Sequence, residues 1–509
     1  MSPTAGNSER HAAKPTFGRL RISLRWRPFC DMGRVLDAVV VGSGPNGLAA
    51  AALLAKRGCS VLVVEGAERP GGGARTSELT LPGFRHDVCS AVHPMGAASP
   101  TFRELGLENL GLRWIHPPKP LAHPLDDGRA AVLARSVEET ASAFDAASER
   151  AYRRLFGPLA ARFDELLEFL LAPPQLPRRP LLALSFGLRA LPSSLAAARS
   201  WFSDEGARAL LAGNAAHSVL PLDAPLSTNA IGLVLMLAGH AKGWPVAEGG
   251  SERIVDALIS SLRSHGGEVE CGRWVRRLED LPPARTYLFD TSPGALARIA
   301  GGQLPAAFSR RLSRYRHGPG VFKIDYALSG PVPWTATACR DAGTVHVGGG
   351  LDEIARAERE VAQGRHPRRP FVLCAQPSLF DPSRAPAGAH TFWAYCHVPA
   401  GSRRDMTEAV ESQIERFAPG FRDLVLGRHR IDCADYERYN PNLVGGDIVG
   451  GSADWRQLLT RPTTCRRPHT TPNPSIFLCS SSTPPGGGVH GMCGYWAAAE
   501  ATKRIRGEG

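Results

Sequence analysis

The clearest pattern of hydrophobic and polar positions lies near the start of the chain. The uninterrupted apolar run Leu36 to Val41 predicts a buried parallel strand, since strands covered on both faces show no polar alternation. A glycine-rich turn, Gly42 to Gly47, leads directly into the alanine-rich helix Leu48 to Arg57, and Ser60 to Val64 predicts a second strand. This order of elements predicts the βαβ unit that opens a doubly wound sheet.

Later segments differ in composition and hydrophobic pattern and predict a second lobe. Thr101 to His240 is rich in leucine and punctuated by proline, which indicates an inserted helical lobe. Val321 to Leu328 and Thr391 to Val398 alternate in the manner of a mixed, partly antiparallel sheet. The other predicted elements are helix Glu252 to Leu262, strand Glu268 to Cys271, strand Thr286 to Asp290, strand Ser475 to Cys479 and helix Gly491 to Ile505.

Together these elements predict an α/β fold in which a Rossmann-like nucleotide-binding domain is interleaved with an α+β substrate domain. We assign residues 35–110, 241–300 and 466–509 to the first domain, and residues 111–240 and 301–465 to the second. Residues 1–34 form a basic leader that we predict to be disordered and leave out of the fold argument. Met32 is an alternative start, and the arginine and serine content of the leader also resembles that of a transit peptide, so organellar targeting stays open.

Composition narrows the function classes. The chain has 509 residues, of which 43% are hydrophobic and 21% charged, as in soluble globular proteins. Its 11 cysteines are spread singly, and no two are separated by only two residues, so neither a zinc ribbon nor a dithiol shuttle is predicted and no metal is expected. Reduced thiols of this kind predict a cytoplasmic location. The net charge of +12 comes without a nucleic-acid motif, so we expect an arginine-rich solvated surface and no nucleic-acid partner.

The most apolar stretches are too short to cross a bilayer. Leu166 to Leu171 and Leu181 to Phe186 are separated by prolines and arginines, and Ile231 to Ala238 is short. We therefore interpret these stretches as core or cavity helices, and leave a peripheral membrane contact open. The sequence predicts no oligomeric state.

The glycine-rich turn after the first strand has the chemistry of a dinucleotide site. A pyrophosphate binds to backbone N–H groups at a helix N-terminus, where side chains would block its approach. We expect Gly42 to permit the turn, Gly44 to let the phosphates come close and Gly47 to let the helix lie near the strand, while Glu65 binds ribose hydroxyls. The predicted cofactor-binding residues here are Gly42, Ser43, Gly44, Pro45, Asn46, Gly47 and Glu65.

The residues that follow carry a family resemblance. Glu65, Gly71-Gly72 and Thr76 at their spacing, followed by Pro82-Gly83-Phe84, resemble the phytoene desaturase-related flavoproteins, and among them the relatives of pyridine nucleotide-disulphide oxidoreductase domain-containing protein 2. The resemblance continues at Gly249-Gly250, Asn440 to Asp447 and Pro484 to Met492. It implies an FAD-binding domain of the glutathione reductase and amine oxidase type. The cofactor-binding set then gains Gly71, Gly72, Arg75, Thr76 and Val275.

One position departs from the wider family. Carotenoid desaturases and amine oxidases commonly carry an arginine directly after the paired glycines, whereas this chain has Gly73 there and Arg75 two residues later. The departure weakens the case for carotenoid desaturation and leaves FAD binding in place.

The last glycine-rich loop predicts the flavin end of the site. Reduction leaves negative charge on the flavin, and a helix N-terminus aimed at it stabilises that charge. The loop residues predicted to contact FAD are Gly486, Gly487, Gly488 and Val489. Val345 to Gly350 is the candidate for a second nucleotide unit, but Glu353 stands at its third glycine position, so we interpret it as a plain strand, turn and helix.

His93 and His490 are the candidate catalytic bases, although a lone histidine in such a segment more often hydrogen-bonds the backbone. The predicted function is an FAD-dependent dehydrogenase or desaturase that acts on a small apolar substrate, with electrons leaving to oxygen, a quinone or a partner. The alternative is an FAD-binding regulatory protein, or a binding protein resembling the Rab GDP-dissociation inhibitors, without catalysis.

Overall fold

The computed structural model describes residues 35–508, and two sheets organise them. The strands are β1 Leu36–Val41, β2 Val61–Val64, β3 Thr76–Glu78, β4 Arg85–Asp87, β5 Trp114–Ile115, β6 Lys119–Pro124, β7 Ala130–Leu133, β8 Val246–Ala247, β9 Glu268–Glu270, β10 Ala284–Phe289, β11 Gly320–Leu328, β12 Ala342–Val347, β13 Val372–Ala375, β14 His390–Val398, β15 Val425–Ile431 and β16 Ile476–Leu478. The leader predicted over residues 1–34 lies outside the described residues.

Eighteen α-helices connect or cover these strands in the described range. They are α1 Pro45–Lys56, α2 Pro94–Ala97, α3 Pro100–Glu104, α4 Val137–Ala141, α5 Ala146–Ala160, α6 Phe163–Leu170, α7 Pro180–Ala190, α8 Ser194–Trp201, α9 Glu205–Ala216, α10 Ser227–Lys242, α11 Glu252–Ser264, α12 Pro293–Ala300, α13 Ala306–Ser313, α14 Leu351–Ala362, α15 Thr407–Phe417, α16 Cys433–Tyr439, α17 Trp455–Thr460 and α18 Met492–Arg506.

The first sheet is five-stranded and parallel throughout, in the order β16-β10-β1-β2-β9. Strand β1 lies at its centre because its valines are apolar on both faces and helices cover both. One face packs on α1, α11 and α18, and the other on α12 and α13. The prediction of an α/β fold with a Rossmann-like domain is confirmed.

The second sheet is seven-stranded and mixed, in the order β15-β11-β14-β13-β12-β6-β7. All neighbours in it are antiparallel except β6 and β12, which run parallel. Strands β6 and β7 come from the stretch that was predicted to be a helical lobe. Two of the six residues of β6 are prolines, which normally argue against a strand and therefore masked it in the sequence.

Helices α4 to α10 cover this mixed sheet and share a core with it, centred on Tyr152, Phe156, Leu210 and Leu233. Within residues 35–508, no single helix is long and apolar enough to cross a membrane, whereas α7 and α8 pass that test only as a pair bent by 92°.

Candidate dinucleotide and substrate site

A cavity of about 930 Å³ is lined by residues of both sheets. It contains the two glycine clusters that the sequence predicted to meet, one after β1 and one before α18. The predicted cofactor residues in its wall are Gly42, Ser43, Gly44, Pro45, Asn46, Glu65, Gly72, Arg75, Val275, Gly486, Gly487, Gly488 and Val489. Gly47, Gly71 and Thr76 do not line the cavity and lie next to residues that do.

The turn between β1 and α1 has the geometry expected of a dinucleotide turn. Gly42 has φ of +98°, which a side chain would strain. A Cβ added to Gly47 would collide with the carbonyl oxygen of Gly42, so the helix can start this close to the strand only with glycine there. Pro45 occupies the first turn of α1, where no N–H is needed. The N-terminus of α1 thereby faces the cavity, with the Asp290 carboxyl on the N–H of Gly47.

Glu65, at the end of β2, is already held in place by the turn. Its Oε2 accepts hydrogen bonds from the N–H of Ser43 at 2.9 Å and from the Ser43 hydroxyl at 2.5 Å, and its Oε1 accepts one from the N–H of Ala67 at 2.8 Å. Because the carboxylate is fixed beside the cavity, it is pre-organised to accept ribose hydroxyl groups.

The second glycine pair packs directly onto the first. The N–H of Gly71 donates to the carbonyl oxygen of Ser43 at 3.1 Å, and a Cβ on Gly72 would lie 3.0 Å from the Cα of Gly44. Both glycines have positive φ, +123° and +52°. The Tyr439 hydroxyl donates to the carbonyl oxygen of Gly72 at 2.7 Å, which ties this loop to the other lobe.

Arg75 is buried and lies in the cavity wall. Its Nε donates to the carbonyl oxygen of Pro70 at 3.2 Å, its guanidinium lies 3.6 Å from Glu65 Oε1, and it stacks over the Tyr439 ring. Thr76, in contrast, donates to Asp87 Oδ1 at 2.8 Å and does not line the cavity.

The C-terminal loop approaches the same cavity before α18. Gly486 and Gly488 have φ of +110° and +121°, and a Cβ on Gly487 would lie 2.6 Å from the carbonyl oxygen of Val449. A Cβ on Gly494 would collide with the carbonyl oxygen of Asn46, so α18 packs against α1 with no room for a side chain. Glycine is therefore required both in the loop and where the two helices meet.

Asp290 is a buried cavity residue that sequence reasoning missed. It follows β10, and its Oδ2 accepts a hydrogen bond from the N–H of Gly47 at 2.9 Å, at the N-terminus of α1. Burial, with a smaller contribution from the negative charge of Glu65, raises the pKa of its carboxyl to about 7, although the Gly47 N–H opposes the shift. The only sequence signal was its position at the end of a parallel strand, where ligands bind in such sheets.

His93 is buried and lines the cavity. The Ser251 hydroxyl donates to the carbonyl oxygen of Ser90, so it accepts a hydrogen bond from Nε2 of His93 at 2.9 Å. Nδ1 is left without a proton and lies 3.4 Å from the Ser90 hydroxyl, from which it can accept. Burial lowers the pKa of His93 to about 4. The ring is therefore neutral near pH 7.

His490 does not line the cavity. Its Nδ1 accepts a hydrogen bond from the N–H of Met492 at 3.0 Å, which caps the start of α18, and burial lowers its pKa to about 4. His490 therefore contacts the helix backbone and not the cavity, and its catalytic role stays a prediction.

The far part of the cavity is walled by apolar and aromatic side chains from the turn after α9, from α10 and the residues after it, and from the mixed sheet. These residues are Val219, Ile231, Leu235, Trp244, Leu373, Trp393 and Tyr395. Among them stands His217, whose Nε2 lies 3.0 Å from Nε2 of His346 on β12. Burial lowers the pKa of His217 to about 3 and that of His346 well below its usual value, so both rings are neutral.

The hydrogen-bond network fixes the tautomers of this pair. One Nε2 must donate to the other, and Nδ1 of His346 is enclosed without a partner among the described residues. An enclosed N–H without an acceptor is rarer in proteins than an acceptor without a donor. We therefore assign the shared proton to His346, which leaves His217 protonated at Nδ1. His217 lines the cavity and so presents a hydrogen-bond donor to a mainly apolar wall, which also contains the polar groups of Thr344, Trp393 and Tyr395.

The second strand, turn and helix, β12 to α14, carries no anion site. The N–H of Leu351 already donates to Glu205 Oε1 at 2.7 Å, and a Cβ on Gly350 would collide with the same oxygen. A carboxylate thus occupies the position that a phosphate would need.

A buried ionic cluster fixes the two lobes beside the site. Arg384, from the loop before β14, donates to Asp87 Oδ2 of β4 at 2.6 Å and to the carbonyl oxygen of Arg85 at 3.0 Å. Lys323 and Asp325 form a second enclosed ion pair on β11. Burial lowers the pKa of His86, beside them, to about 3.

These residues fit FAD. The cavity accepts an elongated molecule, and side chains would obstruct Gly42 and Gly487, where a dinucleotide must come close. The turn before α1 would hold the diphosphate, Glu65 the ribose, and residues 486–489 the flavin.

Comparison with known proteins agrees with this geometry. Residues 40–105 match the family model described as NAD(P)-binding Rossmann-like domain. The chain is 28% identical to pyridine nucleotide-disulfide oxidoreductase domain-containing protein 2 of Rattus norvegicus, over 91% of this chain and 92% of the relative. It is 25% identical to phytoene desaturase (lycopene-forming) of Pseudescherichia vulneris, over 92% and 98%. A solved oxidoreductase from Methanosarcina mazei shares the fold with a TM-score of 0.62 and 16% identity, over 92% of this chain and 100% of that one.

The resemblance predicted from the motifs is confirmed by these relatives, which align along nearly the whole chain. At the level of class, the chain is an oxidoreductase with FAD as its cofactor.

Proposed function

We propose that the protein is an FAD-dependent dehydrogenase or desaturase that removes two hydrogens from a largely apolar small molecule. The observation that carries the proposal is one cavity with two kinds of wall. One is a glycine cradle shaped for a dinucleotide, formed by residues 42–46, Gly72 and residues 486–489. The other is an apolar, aromatic part, the substrate wall, which includes Trp244, Trp393 and Tyr395. FAD, when bound, supplies a two-electron acceptor for a hydride from substrate carbon. The electrons then leave to oxygen, a quinone or a partner.

The chain's own contribution is alignment and exclusion of water. The cradle holds one reactant through backbone groups, which do not rearrange during the reaction. The wall formed by Ile231, Leu235 and Leu373 keeps the other reactant away from solvent. His93 is neutral and its Nδ1 carries no proton, so that atom, 3.4 Å from the Ser90 hydroxyl, would accept the proton that the substrate loses once it is free of this contact.

His217 adds one polar requirement to this apolar site. Its Nδ1–H has no acceptor among the described residues, and leaving it unpaired under a bound apolar ligand would cost about 1 to 3 kcal/mol. The preferred substrate therefore carries a hydrogen-bond acceptor, such as a carbonyl or hydroxyl oxygen, on a mainly hydrocarbon frame.

The relative from Pseudescherichia vulneris is named a desaturase, which supports oxidation of a carbon chain here as well. Gly73, where carotenoid desaturases commonly have arginine, separates this chain from them at the second glycine pair. We therefore extend the proposal to the reaction type and not to a carotenoid substrate.

The test uses the purified full-length protein. Its visible spectrum and mass spectrometry of the released cofactor should show FAD, and anaerobic addition of hydrocarbons, ketones and alcohols of about ten to twenty carbons should bleach the flavin with at least one oxygenated compound. A yellow protein that no compound bleaches would favour the FAD-binding protein without catalysis. A colourless protein that does not take up added FAD would refute the cofactor assignment as well.

A further inference from the structure

Helix α7 exposes leucines on the face that should be polar. Its inner face, Leu182 and Phe186, packs into the core of the helical lobe. Its outer face carries Leu181, Leu184 and Leu188, which are 79%, 56% and 58% exposed. A helix at the surface of a globular protein normally places charged or polar residues there. The sequence predicted that Leu181 to Phe186 would be core or cavity, and only the inner half of that stretch is.

The apolar surface extends beyond the helix. Leu176, before α7, is 95% exposed, and Leu191, after it, is 52% exposed. We call the five residues Leu176, Leu181, Leu184, Leu188 and Leu191 the leucine face. They are five of the twelve large hydrophobic side chains exposed between residues 35 and 508. This concentration is what distinguishes the leucine face from scattered surface leucines, which are normal.

The segment that carries the leucine face is positively charged, and two of its arginines pair with acids of neighbouring helices: Arg179 with Glu165 at 2.8 Å and Arg199 with Asp352 at 2.7 Å. Residues 171–200 contain four arginines, Arg178, Arg179, Arg189 and Arg199, and no aspartate or glutamate. Arg178 and Arg179 directly precede α7, and Arg189 lies in its last turn. An apolar face flanked by arginines suits the boundary between the headgroups and acyl chains of an anionic bilayer, where arginine side chains reach the lipid phosphates.

The length of α7 decides how it would meet a bilayer. Its 11 residues span about 17 Å, against about 30 Å for a hydrocarbon core. The helix is therefore suited to lie in the plane of the membrane surface.

The leucine face is one helix layer away from the cavity. Helix α7 packs on α10, and Nδ2 of Asn229 donates to the carbonyl oxygen of Arg189 at 2.7 Å. Further along α10, Ile231 and Leu235 line the cavity. A bilayer at the leucine face would thus bring dissolved apolar molecules close to the substrate wall.

We propose that the leucine face docks on an anionic lipid bilayer surface, from which the protein draws its apolar substrate. The docking itself is independent of the reaction, and only the delivery of substrate rests on the proposed function. The occupant is a bilayer rather than a protein because three of these leucines follow one another along the outer face of α7, with arginines before the helix and in its last turn.

The experiment is co-sedimentation of the FAD-loaded full chain with vesicles of phosphatidylcholine, with and without about 30% phosphatidylglycerol. The test variant is the triple substitution Leu181→Ser, Leu184→Ser and Leu188→Ser. The matched control is Leu426→Ser with Leu459→Ser, two leucines that are 53% and 64% exposed elsewhere on the protein. We expect binding to the anionic vesicles, a loss of at least about tenfold in the partition coefficient of the triple variant, and no change in the control.

Three results would overturn the proposal. The first is equal sedimentation of the triple variant and the parent, confirmed with a second variant, Leu184→Glu. The second is binding that survives the triple substitution but disappears when residues 1–34 are deleted, which would assign it to the leader. The third is a dimer in lipid-free solution that the triple variant converts to a monomer, which would make the face an interface between copies. Flavin bleaching in detergent solution, measured in parallel, reports on the proposed reaction independently of docking.

Discussion

The cradle and the substrate wall share one cavity, but the cradle is built mainly from backbone atoms and the substrate wall from side chains. The cradle is made of backbone: glycine turns that line the cavity before α1 and before α18, where side chains would meet neighbouring atoms. The substrate wall is made of side chains that come from the turn after α9, from α10, and from β13 and β14. The cradle would bind FAD and the substrate wall would bind the substrate. Substitutions in the wall can therefore alter substrate binding without touching the residues that hold the cofactor.

The two parts also depend differently on single residues. In the cradle, an added methyl group obstructs, because backbone atoms already lie in contact. In the other lobe, a removed charge or donor leaves a buried partner unpaired. Four substitutions test this contrast, and the first should have the largest effect.

Replacing Arg384 by methionine should be the most destabilising change. The side chain is fully buried, and its loss leaves the Asp87 carboxylate without its cation. Breaking a buried pair in this way costs about 3 to 5 kcal/mol in the free energy of unfolding. Urea denaturation measures the cost. Arg438→Met, which removes an exposed partner of Asp435, is the control and should cost less than about 1 kcal/mol. Equal losses in the two variants would contradict the role given to burial.

Replacing Gly47 by alanine should weaken FAD binding about 10- to 100-fold. Its Cβ would meet the Gly42 carbonyl oxygen, and overpacking of this kind costs about 1 to 3 kcal/mol. Titration of the apoprotein with FAD, followed by flavin fluorescence, measures the affinity. Gly157→Ala is the matched control, since an added Cβ there has open space inside a helix. Unchanged FAD affinity in Gly47→Ala would show that an added methyl group does not obstruct the cradle.

Replacing His217 by leucine should change selectivity more than affinity. Its Nδ1–H should pair with an oxygenated ligand and stay unpaired under a hydrocarbon, so we expect binding of 2-dodecanone to fall about tenfold and binding of dodecane to tighten. Perturbation of the flavin spectrum reports both. His217→Asn, which keeps a donor, should restore part of the preference, and the exposed His265→Leu should have no effect. A parallel loss for both ligands would show that His217 only packs.

The smallest effect should be a pH dependence of FAD binding through Asp290. Its pKa of about 7 means that the carboxyl is neutral below that pH and negative above it, beside Glu65 and the site of the diphosphate. FAD affinity should therefore be constant in acid and fall about three- to tenfold as the pH rises from 7 to about 8.5. Fluorescence titrations across this range measure it. Asp290→Asn should flatten the profile, and a profile unchanged in that variant would assign the dependence elsewhere.

The cradle was predictable because its determinants are local. Strand β1 has the bounds that its apolar run indicated, and α1 and β2 begin within three residues of the prediction. Glycines, the strand before them and the acid after them all lie within thirty residues, so their spacing alone identifies the site.

The substrate wall was not predictable because its contacts are distant in sequence. His217 and His346 are 129 residues apart, and Asp290 reaches Gly47 across 243. No periodicity links such pairs. The two prolines of β6 also concealed a strand, which placed part of the mixed sheet in a stretch that had been interpreted as helical. The histidines chosen from the sequence show the same limit, since only His93 reaches the cavity.

The position of β16 and α18 has a consequence for biosynthesis. The final strand pairs with β10 at the edge of the parallel sheet, and the loop after it supplies residues 486–489 to the cavity. A nascent chain on the ribosome therefore exposes its first glycine turn hundreds of residues before the closing loop is translated. The complete cavity forms only after residues 486–489 have been translated, and a truncation before Gly486 should leave the first glycine turn without the loop that would hold the flavin.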